Sequence, residues 1–215
     1  GFESEPFFEC AKNDIPMLPK LEGTVHVNMA LIVKFMANYF FNPKDYPEVE
    51  RRDDPTNDDY LFRQGPTRGL GKIQFHDYNI AYDGCTLPNV EVFKEQIKLF
   101  KNLLTKAAPD KEQSRDIDYL LALGEILTLV AYGQLILESR GFFEVEDDLV
   151  DEIFDFMVRD FSKYALSIYS KPSNTDKQRE LALAIIKHPV TDQALFDRVW
   201  KKHVYAMKDQ YKMRD

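Results

Sequence analysis

Apolar side chains recur at every third or fourth residue along most of this chain, a spacing that predicts helices. The first such stretch, residues 24 to 41, ends where Asn42 precedes Pro43, because proline disfavours helical backbone in the residue before it. A wide apolar face of this kind packs on a neighbouring element. The side chains that we expect to be buried on this face are Val25, Met29, Ile32, Phe35, Met36, Tyr39 and Phe40.

From Pro88 onward the periodic stretches are separated by residues typical of helix starts and stops. Pro88 suits a first helical turn, Gly141 suits a helix end, and Thr175 with Gln178 fits a capping box. Amphipathic helices with short connections favour an antiparallel bundle, so the predicted fold class is all-α, an antiparallel helix bundle with a long irregular connector. The predicted helices run from 88 to 106, from Pro109 to Arg140, from Asp147 until Pro172, from Thr175 to Lys187, and beyond Thr191, the last with Phe196, Val199, Trp200, His203 and Met207 on one face.

The helix predicted up to Arg140 is apolar nearly all round between residues 119 and 137, and its length raises the alternative of a membrane span. Glu125 and Gln134 lie inside this stretch. A carboxylate at the centre of a bilayer costs about 2.5 kcal/mol or more. We therefore expect a central bundle helix, with Glu125 paired to a Lys or Arg of another helix.

Residues 42 to 87 are dense in charge and proline and show no helical or strand period, which predicts a connector. Its end, residues 73 to 82, fits either a short strand or an irregular segment. Glycines precede Lys72, but a phosphate-binding loop needs glycine where Pro66 stands and Ser or Thr where Ile73 stands. The predicted domains are residues 1–41, the connector 42–87 and a helical bundle at 88–215.

Composition narrows the classes of function. The 215 residues carry a net charge of −8, which disfavours nucleic-acid binding because phosphates need clustered Lys and Arg. Two cysteines form no framework, which favours a reducing, cytoplasmic location. No histidine has a glutamate three residues before it, so a di-iron bundle site is not expected, and there is no GxSxG hydrolase motif. The predicted metal content is none.

The clearest candidate for chemistry is Glu22-Gly23-Thr24, at the start of the first apolar helix. A carboxylate beside apolar surface has a raised pKa and is a better proton acceptor once ionised. Glycine lets the backbone bend or approach a ligand closely, and threonine can cap the helix that follows. A glutamate at a helix start is also explained as a solvated residue that suits the helix dipole.

This motif, preceded by Leu18-Pro19-Lys20-Leu21, resembles the catalytic-base segment of flavin-dependent acyl-CoA dehydrogenases. The resemblance covers residues 1 to 41 and extends more loosely to a helical tail, as in the larger, very-long-chain-like bacterial members. It implies that Glu22 removes the α-proton of an acyl-CoA while FAD takes a hydride from the β-carbon, and that Gly23 and Thr24 lie against the flavin. No arginine follows Thr24, so the resemblance implies no cofactor contact beyond it.

The resemblance also implies partners. They are an acyl-CoA substrate from fatty acid oxidation, an electron-transfer flavoprotein, and the remaining domains of the same enzyme. We expect those domains to lie outside this sequence, so the fragment alone is expected to be inactive. A homo-oligomer and a peripheral contact with a membrane are further partners consistent with it. The alternative, from a different class, is a non-catalytic helical domain that serves interaction or assembly.

Overall fold

The computed structural model describes residues 6–21, 23–45 and 73–208, and every regular element within them is a helix. Glu22, the predicted base, and residues 46 to 72, most of the predicted connector, lie outside the described residues. The α-helices are α1 Pro6–Asp14, α2 Leu18–Leu21, α3 Val25–Ile32, α4 Met36–Phe41, α5 Asn79–Asp83, α6 Pro88–Lys106, α7 Ile117–Arg140, α8 Asp147–Tyr169, α9 Asp176–Ile185 and α10 Gln193–Val199. The predicted all-α fold class is confirmed.

Helix α8 lies at the centre of the bundle, because it packs against α6, α7, α9 and α10. Its fully buried Phe154 and Phe161 meet Phe93 of α6 edge to face, with ring centroids 5.2 and 5.3 Å apart. Edge-to-face pairs of this kind add about 0.5–1.5 kcal/mol to the gain from burial. The predicted helix from Asp147 and the predicted capping box of Thr175 and Gln178 are both present.

The N-terminal helices join the bundle through the aromatic side chains of α4. Tyr39 stacks on Tyr78 with centroids 5.0 Å apart, and Phe40 meets Phe100 of α6 at 5.8 Å. Tyr39, Phe40, Tyr78 and Phe100 are all buried. The helix ends at Phe41, directly before Asn42-Pro43, as predicted. Aromatic packing therefore fixes the end of the helical segment that begins at Thr24.

Helix α7 accommodates two close neighbours at glycines. A Cβ on Gly124 would lie 2.8 Å from the carbonyl oxygen of Met29, so α3 crosses α7 at a distance that only glycine permits. A Cβ on Gly133 would lie 2.5 Å from the hydroxyl oxygen of Tyr82. The length and composition of α7 would also suit a membrane span, as they do in core helices of soluble proteins. Here α7 packs against α3, α5 and α8.

Helix α7 was predicted to start at Pro109, and this was wrong, because α7 begins at Ile117. Residues 107 to 116 form a connection instead, because Asp110 accepts hydrogen bonds from the backbone N–H groups of Glu112 and Gln113 and Gln178 donates to the carbonyl of Ala107. Asp116 then caps α7 by accepting from Asp118 N–H. Side-chain bonds that close a turn in this way compete with helical backbone bonds.

Glu125 interacts with Tyr164 of α8. Burial, followed by the charges of Glu125 and Asp160, raises the pKa of Tyr164. A tyrosine hydroxyl can donate to a half-buried carboxylate without bringing in a second charge. No ion pair between described residues includes Glu125, so its pairing with a Lys or Arg of another helix stays a prediction.

The last helix differs most from its prediction. Asp192, not Thr191, caps α10 by accepting from the N–H groups of Ala194 and Leu195. A π-helical turn at Trp200–Val204 and a 3-10 turn at Tyr205–Met207 follow. Of the face predicted to pack inward, only Val199 is buried. His203 is not a core histidine, since it lies 3.7 Å from Glu146 near the surface.

The described end of the connector contains no strand. Residues 73 to 77 are irregular, and α5 follows them. Lys44 N–H donates to the carbonyl of Phe75 over 2.9 Å, and Asn38 donates to the carbonyl of Ile73 over 2.7 Å. These bonds hold the returning chain beside α4. The irregular alternative therefore holds for residues 73 to 77, whereas residues 79 to 82 belong to α5, which neither alternative predicted.

The contact at Gly124 gives a stability prediction. Gly124→Ala should lower the free energy of unfolding by about 1–3 kcal/mol, because the new methyl group meets backbone that cannot rotate away. Gly141→Ala is the matched control, since its Cβ would meet nothing within 4 Å and its φ of −71° suits alanine. Denaturant unfolding followed by circular dichroism measures both. Equal stability of the two variants would contradict the close crossing of α3 and α7.

Candidate functional site

Gly23 of the motif adopts a backbone conformation that glycine reaches more easily than other residues. Gly23 has a φ of +90°, a conformation that other residues reach only with strain. Thr24 follows in extended conformation and caps α3, with its hydroxyl oxygen 3.4 Å from Val27 N. Asn28 closes the turn by donating to the carbonyl of Gly23 over 3.3 Å. The Gly-Thr pair therefore forms a sharp entry into α3.

The surface around this entry is apolar and uncovered. Val25 and Val27 are 58% and 61% exposed, and none of the residues from 9 to 35 whose side chains are described is buried. His26 is also exposed. The predicted burial of the first apolar face therefore holds only for Met36, Tyr39 and Phe40, while Val25 is a correction. Met29, Ile32 and Phe35 are half-buried.

A second site lies further along the same helical segment. An open groove of about 1100 Å³ runs between α3–α4 and α7, and its walls are mostly apolar. Tyr132 and Leu135 project from α7 into it and are 59% and 57% exposed. A groove of this size and lining is typical of a binding site. The other lining side chains are Ile32, Phe35, Tyr39, Asp45, Phe75, His76, Leu127, Thr128, Ala131, Gln134 and Glu138.

Polar groups enter the groove through one chain of hydrogen bonds. The Tyr39 hydroxyl donates to Gln134 Oε1 over 2.7 Å, and Gln134 Nε2 donates to Glu138 Oε1 over 2.7 Å. Burial, then the neighbouring Tyr78 and Glu138, raise the pKa of Tyr39 well above its ordinary value. Tyr39 therefore stays protonated and acts as a donor that orients Gln134.

Two carboxylates, Asp45 and Glu138, line the groove together with His76. Neither carboxylate forms an ion pair within the residues that the structure describes. Carboxylates beside apolar walls favour an occupant that combines apolar and cationic groups.

Sequence reasoning missed the groove. Its signal was the stretch of α7 that is apolar nearly all round, which predicts neighbours on every side. The structure supplies neighbours at Gly124 and Gly133 but leaves Thr128, Tyr132 and Leu135 facing the opening. One apolar face of α7 therefore has no covering helix among the residues that the structure describes.

Other buried polar clusters serve the fold. Asp151 accepts from Asn89 N–H and Nδ2 over 2.8 and 3.0 Å and so joins α8 to the start of α6. Within residues 6–21, 23–45 and 73–208, no group of three or more His, Cys, Asp or Glu side chains could hold a metal ion.

Comparison with protein-family models, with curated proteins and with solved structures gives no match to this chain. Its function is therefore inferred from its own residues. Two places carry that inference, namely the Gly23-Thr24 entry into α3 and the apolar groove between α3–α4 and α7.

The polar chain in the groove gives a second prediction. Tyr39→Phe should lower the free energy of unfolding by about 1–3 kcal/mol, because Gln134 Oε1 loses its buried donor. Tyr132→Phe removes the same hydroxyl from an exposed ring on the same groove and should change stability little. Denaturant unfolding at neutral pH compares the two variants.

The raised pKa of Tyr39 adds a test at alkaline pH. Above about pH 10 this tyrosine ionises in the unfolded state but not in the folded state. The free energy of unfolding therefore falls as the pH rises further. Tyr39→Phe should lose less stability over this range than the unchanged chain, whereas Tyr132→Phe should match it. An identical alkaline profile in all three proteins would contradict the burial of the Tyr39 hydroxyl.

Proposed function

We propose that this chain is the C-terminal part of a flavin-dependent acyl-CoA dehydrogenase of the larger, very-long-chain-like type, an oxidoreductase with Glu22 as its base. The observation that carries the proposal is the backbone of the motif. Gly23 adopts a φ of +90° and Thr24 caps α3. The Glu-Gly-Thr sequence thus has its glycine where the chain favours one, and its threonine at the helix start.

The proposed flavin contact rests on two small residues. Gly23 has no Cβ, and the Asn28 side chain lies 3.4 Å from the position that a Cβ would take, while the side chain of Thr24 is exposed. When bound, FAD supplies a hydride acceptor for the β-carbon of the substrate. The chain's own contribution is acid–base chemistry: the Glu22 carboxylate takes the α-proton, and its backbone N–H stabilises charge that builds up on the thioester oxygen.

The uncovered apolar surface near the motif supports the same proposal. Helix α3 is the sequence VHVNMALI, yet Val25 and Val27 are mostly exposed. Leu21, just before the motif, is 72% exposed. Contiguous apolar surface of this kind marks an interaction site. The remaining domains of the same enzyme are the proposed cover, with an electron-transfer flavoprotein and a cytoplasmic location as further parts of the proposal.

Glu22→Gln in the complete protein tests this function. The amide cannot accept the α-proton, and general-base catalysis of this kind contributes about 10²- to 10⁴-fold in rate. The variant should therefore keep its bound flavin and yellow colour but fail to bleach on the time scale of the unchanged enzyme when acyl-CoA is added without oxygen. Stopped-flow absorbance of the flavin measures the rate.

Glu112→Gln is the matched control, because it makes the same change at an exposed residue between α6 and α7. It should bleach as fast as the unchanged protein. Normal bleaching by Glu22→Gln would remove Glu22 as the base. A complete protein that binds no flavin at all would remove the dehydrogenase proposal itself.

A non-catalytic assembly domain is the second candidate, and a separate observation favours it. Phe142 and Phe143, between α7 and α8, are 86% and 77% exposed, and Trp200 beyond α10 is 49% exposed. Large aromatic side chains in such positions are enriched at interfaces with proteins and membranes. A peripheral membrane contact and a homo-oligomer are both consistent with them. If Glu22→Gln bleaches normally, this second function becomes the better account of the chain.

A further inference from the structure

We propose that two copies of this chain associate by inserting the C-terminal apolar stripe of each copy into the groove of the other. The stripe comprises Phe196, Trp200, Val204 and Met207, which recur every three or four residues. The groove is the one between α3–α4 and α7 described above. The contact identifies a surface for the proposed homo-oligomer, and it requires neither Glu22 nor a flavin.

The stripe is held outward by the contacts on its opposite side. Arg198 forms a two-pronged ion pair with Asp148 of α8, at 2.7 and 3.1 Å, and Lys202 pairs with Glu146. Val199 is buried on the same side. Trp200 stacks on Phe196 with centroids 6.2 Å apart, and the two rings are 49% and 40% exposed. The stripe is thus a preformed apolar surface that the described residues of its own copy leave exposed.

The two surfaces span the same number of residues. Along α7, the groove extends over eleven residue steps from Leu127 to Glu138, a helical distance of about 16 Å. The stripe from Phe196 to Met207 also spans eleven residue steps, through the end of α10, the π-helical turn and the 3-10 turn. Both surfaces are built on helical segments, so one can lie along the other as an amphipathic helix lies in a groove.

Their charges are complementary as well. Residues 198 to 208 contain four Lys or Arg and no Asp or Glu. Arg198 and Lys202 are paired within the copy, whereas Lys201 forms no ion pair within the described residues and Lys208 contacts only Tyr205. The groove is lined by the carboxylates of Asp45 and Glu138. Opposite charges beside apolar surface favour this pairing over an anionic ligand.

A second copy is favoured over the same copy, because the ion pairs to Asp148 and Glu146 anchor the stripe beside α8 while the groove lies on α3, α4 and α7. The contact joins two different surfaces. Reciprocal insertion closes it into a dimer with two equal contacts related by a two-fold axis, which leaves neither surface open to continue a chain of molecules.

Sedimentation velocity of the full chain over a range of concentrations tests the contact. The unchanged chain should form dimers. Leu135→Arg in the groove and Trp200→Arg in the stripe should each weaken association by about 30-fold or more, the loss typical of a central contact. Both side chains are about half exposed, so neither change enters the core. Leu183→Arg is the control, because Leu183 of α9 is exposed to a similar degree and belongs to neither surface, and it should dimerise as the unchanged chain does.

Mixing the two variants distinguishes this contact from any other dimer. The Leu135→Arg chain retains its stripe and the Trp200→Arg chain retains its groove, so an equimolar mixture should form a dimer with one intact contact, tighter than either variant alone. Circular dichroism melts confirm that each variant is folded. A chain that stays monomeric throughout, a dimer unaffected by either variant, or a mixture no tighter than its parts would overturn the proposal. None of these results bears on Glu22, so the dehydrogenase proposal stands or falls separately.

Discussion

The insertion of Tyr39 and Phe40 into the aromatic core is the contact on which the described structure depends. These rings join a helical segment that carries the motif at its other end to a bundle more than forty residues later in the chain. Burial of large rings dominates the energetics of such a core. Because Tyr39 also donates to Gln134 of α7, the same side chain positions the groove wall and the polar chain inside it. Motif and groove thus share one anchor.

Glycines in α7 explain why the groove opens where it does. At Gly124 the backbone of α3 reaches α7 directly, and at Gly133 the hydroxyl of Tyr82 fills the space that a side chain would take. Between α3 and the anchor at Tyr39, a 3-10 turn at Val33–Phe35 interrupts the helix. The segment touches α7 closely at one point and through long side chains at another, which leaves a cleft along Thr128 and Leu135.

The local sequence signals predicted local structure well. Pro88, the Thr175–Gln178 capping box and Asn42-Pro43 each mark a boundary because the backbone responds to these residues within one turn. Long-range placement was harder. Periodicity identified apolar faces on α3 and beyond Asp192, but it cannot show whether the covering partner belongs to the same chain. Val25 and Trp200 were both expected inside, and both are exposed. Of the candidate site, the Gly-Thr entry was predictable and the groove was not.

Buried and exposed apolar residues occupy different parts of the described chain. Its buried core lies almost entirely between Met36 and Ile185, while the apolar residues at both ends of the described chain face outward. A segment that leaves apolar surface exposed gains stability only when another surface covers it. The bundle is therefore the part of the chain that buries its own core, and an exposed apolar surface lies at each end of it. In the dehydrogenase proposal, Glu22 stands at the edge of the N-terminal surface, so its chemistry needs the domains that cover that surface. In the association proposal, the C-terminal stripe needs only the groove of another copy.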